Sequence, residues 1–355
     1  MQIYYFFLIY ANNYAFFAKN NFYCPNICVC RKKSVTLQRK GMRPIEMKQT
    51  IPIIALIISM VIWSVSGIAI KHALIVLPPF TMIVMRFVPA VLLMLIIGII
   101  CRHHSLFCLQ KMDLRDLPLF LIAGTCQPFL YYLLETYSYA ALNSPTIAET
   151  LLSTSPLLSP IFAAVLLGER VTKYNIWGIL ISTIGVFVLT LAGGTDYSIG
   201  SYWGVLLAFA AVSAAVVDSI MMRKAPLRYS SLSFVFYTQL ISLMYFIPIW
   251  WIKEGPEAIN NLQFTIHNSQ LMTALGCVAY LTVFASVTAF ILFCYALRQV
   301  GVTQANAFNN IRPAFTALWM FLFFDEILPW AKWLGIVFII FGLFICQKQE
   351  KKHNY

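Results

Sequence analysis

Ten apolar stretches dictate what this chain can fold into. They run at about 51–70, 79–101, 117–138, 146–167, 175–192, 202–222, 232–251, 271–293, 302–324 and 330–347. A helix of ~20 residues crosses the ~30 Å hydrocarbon layer of a bilayer. Within that layer every backbone N–H and C=O needs an internal partner, which leaves only helices or closed barrels. The runs are continuous rather than alternating, so they read as helices and not as barrel strands. Composition agrees: 60% of the 355 residues are hydrophobic and only 11% are charged, against ~25% charged in soluble domains. The expected fold class is an all-α polytopic membrane protein with ten transmembrane helices.

The fourth and fifth stretches recur later in the chain. Ala148 to Gly185 reads AETLLSTSPLLSPIFAAVLLGERVTKYNIWGILISTIG, and Ala305 to Gly342 reads ANAFNNIRPAFTALWMFLFFDEILPWAKWLGIVFIIFG. Slid along by 157 residues without a gap, Pro156 falls on Pro313, Glu169 on Glu326, Gly178 on Gly335 and Gly185 on Gly342. A mid-segment proline, a terminal glutamate and two glycines in one order imply an internal duplication. The expected organisation is an extension at 1–46 outside the fold, a five-helix repeat at 47–192, a second at 200–347, and a basic tail at 348–355. Charge then fixes orientation. Arg102, Lys111, Arg115, Arg170, Lys173, Arg223, Lys224, Arg228, Arg298, Lys348, Lys351 and Lys352 fall on one side, and only Lys71, Lys253 and Lys332 on the other. The positive-inside rule places both ends in the cytoplasm. With five crossings per half, the second half enters from the opposite face, so the repeats are inverted.

The paired Pro–Glu–Gly–Gly pattern, the Trp63-Ser64-Val65-Ser66-Gly67 stretch and Arg86 together resemble an EamA-domain protein of the drug/metabolite transporter superfamily. The resemblance covers about 51–347. It departs in the second half, where 202–222 has no tryptophan–glycine element and Gln239 stands about where an arginine would. It implies two inverted five-helix repeats, metabolite transport (often export) and a pathway lined by the fourth and ninth helices.

Charged and polar groups inside a bilayer are expensive, and each needs a reason. Arg86 lies too deep in the second segment to reach water easily, so it reads as a substrate contact, a gate contact or a helix-pairing ion bridge. Glu149, Ser153 and Pro156 make one α-helical stripe, and Asn306, Asn310 and Pro313 repeat it, with Asn309 and Arg312 alongside. Trp63 completes the expected substrate pathway. Arg312 either attracts an anionic part of the substrate or pairs with Glu149 or Asp218. Glu135 and Glu149 flank a short hairpin and are the candidates for proton coupling; Glu135 alternatively sits solvated at the interface. Asp218, one turn from Arg223 and Lys224, reads as an interfacial acid. Glu169 and Glu326 read as helix-end caps.

Other functions find less support. The net charge of +12 follows membrane topology rather than a nucleic-acid surface. Of nine cysteines only Cys24, Cys28 and Cys30 cluster, with no histidine nearby, so no metal or cofactor is expected. No Walker lysine follows a glycine-rich loop, and no His–Glu metalloprotease pattern occurs. The expected function is a secondary transporter of small metabolites such as amino acids in the cell membrane, working by alternating access and driven by substrate or protons. Its partners would be the substrate and the lipid bilayer, with a homodimer compatible. A non-transporting membrane sensor or assembly subunit, and an intramembrane enzyme, are the alternatives.

Overall fold

The structure, a computed structural model, describes residues 44–102, 107–142, 145–191, 201–255, 269–323 and 329–346. The extension up to residue 43 with its cysteine cluster, Glu326 and the basic tail lie outside these. All regular structure among the described residues is helical. Seven helical stretches are long and apolar enough to cross a membrane, and Lys173–Val188 and Trp330–Cys346 are shorter apolar helices. The remaining stretch, 302–323, is broken into three short pieces.

The first segment is the helix α1 (Pro44–Leu74), which starts three residues inside the expected extension. The second is α2 (Pro79–Ile100), with Pro79 at its first position, where its missing N–H costs nothing. The sixth and seventh are α8 (Tyr202–Lys224) and α9 (Ser231–Lys253). Serine side chains begin both: Ser201 accepts from the Trp203 N–H and Ser230 from the Ser233 N–H.

Four segments are interrupted. The third runs through α3 (Leu117–Gly124), a wide π-turn (Thr125–Leu130) and α4 (Tyr131–Ala141). Gln127 leaves helical geometry there (φ −146°, ψ 121°), because the proline after it pushes it towards extended backbone. The fourth breaks between α5 (Pro145–Leu152) and α6 (Ser155–Leu167). At that break the Ser153 and Thr154 hydroxyls donate to the carbonyls of Glu149 and Leu151, both at 2.7 Å. The eighth carries a π-stretch (Leu281–Thr288) between α10 (Ser269–Tyr280) and α11 (Ala289–Val300). The ninth is α12 (Val302–Ala307), a 3₁₀ turn (Phe308–Ile311) and α13 (Arg312–Phe323). Carbonyls released at such breaks must be met by other groups. Trp63 Nε1 donates to the Ala285 carbonyl at 3.0 Å, and Gln239 Nε2 to that of Ser286 at 2.6 Å.

The fifth and tenth segments, α7 (Lys173–Leu191) and α14 (Trp330–Cys346), pack backbone to backbone through the duplicated glycines. A Cβ on Gly178 would lie 2.6 Å from the Gly342 carbonyl, and one on Gly185 2.7 Å from that of Gly335. The pairing runs in opposite chain directions, so the two helices are antiparallel. The second and seventh segments are antiparallel too, and the stretch that follows each one holds the start of the other. The Glu254 carboxylate, after α9, accepts from the Phe80 and Thr81 N–H groups at 3.2 and 2.7 Å. Gln110, after α2, accepts from the Ser230 N–H at 2.9 Å.

Candidate functional site

A polar cavity opens among the broken segments. Its free volume of about 40 Å³ admits a few waters, since one water needs ~10–15 Å³ by this measure. Both arginines expected to matter reach it. Arg86, 2% exposed, donates from Nε to Ser286 Oγ at 2.6 Å, and its guanidinium lies 4.3 Å from the Tyr132 ring centroid. Arg312, 6% exposed, stands over Trp63 with 5.9 Å between guanidinium and ring. Trp63 packs in turn against Phe290 and Phe293, with centroids 5.0 and 5.2 Å away. One wall is thus cationic and aromatic.

The opposite polarity comes from two carboxylates. Glu135 faces the cavity and is 4% exposed, so it is not an interfacial group. One of its oxygens accepts from Tyr131 Oη at 2.9 Å, and the other has no hydrogen-bond partner. Glu149 stands behind Arg312, with Oε1 2.8 Å from Nε. That N–H is not aimed along the contact, so the two form an ion pair rather than an aligned hydrogen bond. Tyr139 donates to the other Glu149 oxygen. Of the two acids offered to Arg312 by the sequence, the structure therefore selects Glu149.

The ninth segment presents a different face from the one an α-helical count gives. Asn306, Asn309 and Arg312 line the cavity, whereas Asn310 donates to Ser182 and Thr183 of α7 at 2.6 and 3.2 Å. The 3₁₀ turn explains this, because residues three apart eclipse in it. Asn309 donates to Ser155 at 2.9 Å, and the Asn306 amide nitrogen has no partner. The break in the fourth segment acts similarly: Leu152 and Ser155 face the cavity, while Ser153 and Pro156, like Pro313, lie off it. Gln127 and Ser219 also line it, unforeseen from sequence. The Gln-Pro pair in mid-segment was the available signal for Gln127. Asp218 is 1% exposed and buried in the bundle, which corrects its reading as an interfacial acid. Glu169 holds a helix start, accepting from the Val302 N–H at 3.1 Å.

A bundle of apolar helices, several broken around a buried polar cavity, defines a membrane-embedded, multi-pass transport protein. The EamA-like transporter family matches residues 50–191 and 202–346, and the chain belongs to that family. Among relatives, an uncharacterised Bacillus subtilis transporter, YetK, is 23% identical over 253 residues, covering 70% of this chain and 74% of its own. A protein of Streptantibioticus cattleyicolor named as a probable terminal-alkyne amino-acid exporter is 25% identical over 238 residues, covering 66% and 74%. The pseudopaline exporter CntI of Pseudomonas aeruginosa is 25% identical over 238 residues, covering 67% and 77%. A solved structure, titled only as the crystal structure of a protein, superposes with a TM-score of 0.63 at 17% identity. It covers 84% of this chain and 98% of its own, a likeness of fold.

Proposed function

We propose that this chain is a secondary transporter that exports small zwitterionic metabolites, amino acids or compounds like them, by alternating access. The observation that carries the reading is the cavity's chemistry. Once the cavity widens to admit a solute, two guanidiniums and the unpartnered Asn306 amide would meet its carboxylate, the unpartnered Glu135 oxygen its ammonium, and Trp63, Phe290 and Phe293 its apolar part. Buried polar groups without partners are costly, and a ligand that completes them gains what they lack. The names of two relatives, an amino-acid exporter and a pseudopaline exporter, point the same way. The direct test is exchange in proteoliposomes with radiolabelled phenylalanine and threonine. Both should compete with their unlabelled forms, while the methyl esters and N-acetyl derivatives, each lacking one charge, should not. Equal competition by the derivatives would remove the zwitterion reading.

The proposed architecture is ten crossings in two inverted halves, in the plasma or inner membrane, with both ends cytoplasmic. The exchanged glycine contacts support it. Gly178 meets Gly342, and Gly185 meets Gly335, as a two-fold axis relating the repeats requires. The reciprocal holding of α2 and α9 starts supports it as well. Ile75 and Leu227 are 69% and 92% exposed at opposite ends of the bundle in this arrangement. A membrane-impermeant thiol reagent applied to intact cells should label Ile75→Cys and spare Leu227→Cys until the membrane is opened. The opposite pattern would reverse the orientation.

Gating falls to the Arg312–Glu149 pair, which joins the ninth and fourth segments beside the cavity. Of the two carboxylates put forward for proton coupling, Glu149 is thereby engaged with Arg312 and Tyr139, and Glu135 keeps an open oxygen.

A further inference from the structure

Three carboxylates are buried among the described residues: Glu135, Glu149 and Asp218. The first two face guanidiniums or tyrosine hydroxyls. Asp218 differs. It sits in α8 beside Ser219, which lines the cavity and donates to Asn306 at 3.4 Å. One of its oxygens is buried with no hydrogen-bond partner, and no ion pair to it exists among the described residues. Cys126 from the bend of the third segment, Tyr132 from α4 and Cys294 from α11 lie within its electrostatic reach, and Arg86 and Arg298 act on the last two as well. Among the described residues the nearby cations form no ion pair with Asp218. Arg223 donates to the Arg298 carbonyl and lies 3.9 Å from Glu169. Arg298 of α11 donates from Nε and Nη1 to the carbonyls of Met222 and Tyr229, and its buried Nη2 makes no hydrogen bond and no ion pair to Asp218. From the fourth and ninth segments, Glu149 and Arg312 hold each other, and the remaining cavity groups, Ser155 and Asn306, are neutral.

A bare carboxylate in such a place is expensive, and a bound proton removes the charge. We propose that Asp218 carries the coupling proton of the transport cycle, an inference that rests on the transport reading above. When water reaches Asp218 from the outer face, a hydronium O–H bond breaks as the carboxylic acid O–H forms; when water reaches it from the cytoplasmic face, that O–H breaks and the proton leaves as hydronium. Each inward proton accompanies one outward substrate.

The test uses the purified full chain in proteoliposomes with radiolabelled phenylalanine, threonine and lysine as probes. Asp218→Asn should keep substrate exchange yet lose all accumulation driven by a pH gradient. Infrared spectra of the full chain in lipid at neutral pH should show the carbonyl stretch of an un-ionised carboxylic acid, and Asp218→Asn should lack it. A variant that still responds to the pH gradient would overturn the proposal. So would a variant spectrum identical to that of the wild type, or accumulation that follows a sodium gradient instead. If the native chain moves none of the three probes, the substrate reading fails, while the infrared comparison still decides whether Asp218 holds a proton.

Discussion

Arg312→Ala should insert into the membrane and transport nothing measurable. The substitution removes the cavity's cation above Trp63 and leaves Glu149 buried beside Tyr139 alone. Removing one partner of a buried pair costs about 3–5 kcal/mol, because the other charge stays behind uncompensated. Thermal unfolding in detergent should therefore show a clear loss of stability. Adding Glu149→Gln to Arg312→Ala removes that stranded charge and should restore most of the stability, while flux stays absent. Wild-type flux in Arg312→Ala would mean the pair only packs the bundle. Restored flux in the double variant would mean that Arg312 serves merely to neutralise Glu149.

The second large effect belongs to the crossing of α7 and α14. A methyl group on Gly342 would lie 2.4 Å from the Ser182 backbone nitrogen and 2.6 Å from the Gly178 carbonyl. Backbone cannot step aside as a flexible side chain can. Overpacking a tight core costs about 1–3 kcal/mol for small additions, and an isobutyl group is a large one. Gly342→Leu should abolish recovery of folded protein by size-exclusion chromatography. Gly276→Leu provides the comparison, since nothing lies within 4 Å of a Cβ there, and it should behave as wild type. Equal yields from the two would remove the close crossing. Helix association in lipid depends on such contacts, because the surrounding tails are as apolar as leucine.

Both effects trace to residues the sequence exposes in different degrees. The glycines stand out because the duplication places Gly178 and Gly185 on Gly335 and Gly342. Their exchanged contact follows once the halves are antiparallel. Trp63, Arg86 and Arg312 announce themselves as polar or charged groups deep in apolar runs. What a linear reading of the ninth segment misses is the backbone between those groups. An α-helical stripe joins Asn306 to Asn310, yet the 3₁₀ turn at Phe308–Ile311 turns Asn309 inward and sends Asn310 to α7. Proline marks that a break occurs nearby but not which turn geometry absorbs it. Glu135 and Asp218 misled for another reason: each lies near a segment end in sequence, while tertiary packing buries it.

Four buried polar groups of the first half take partners far ahead in the chain. Ser59 donates to the Ala289 carbonyl, Trp63 to that of Ala285, Arg86 to Ser286, and Glu149 pairs with Arg312. During synthesis none of these partners exists until residues beyond 284 have emerged. The first five segments therefore cannot complete their own interior as they enter the membrane. They must wait, with an arginine and a glutamate unmatched, in a setting that still offers them water or a protein surface. Premature termination before the eighth segment would leave a fragment in which Arg86 and Glu149 lack these partners.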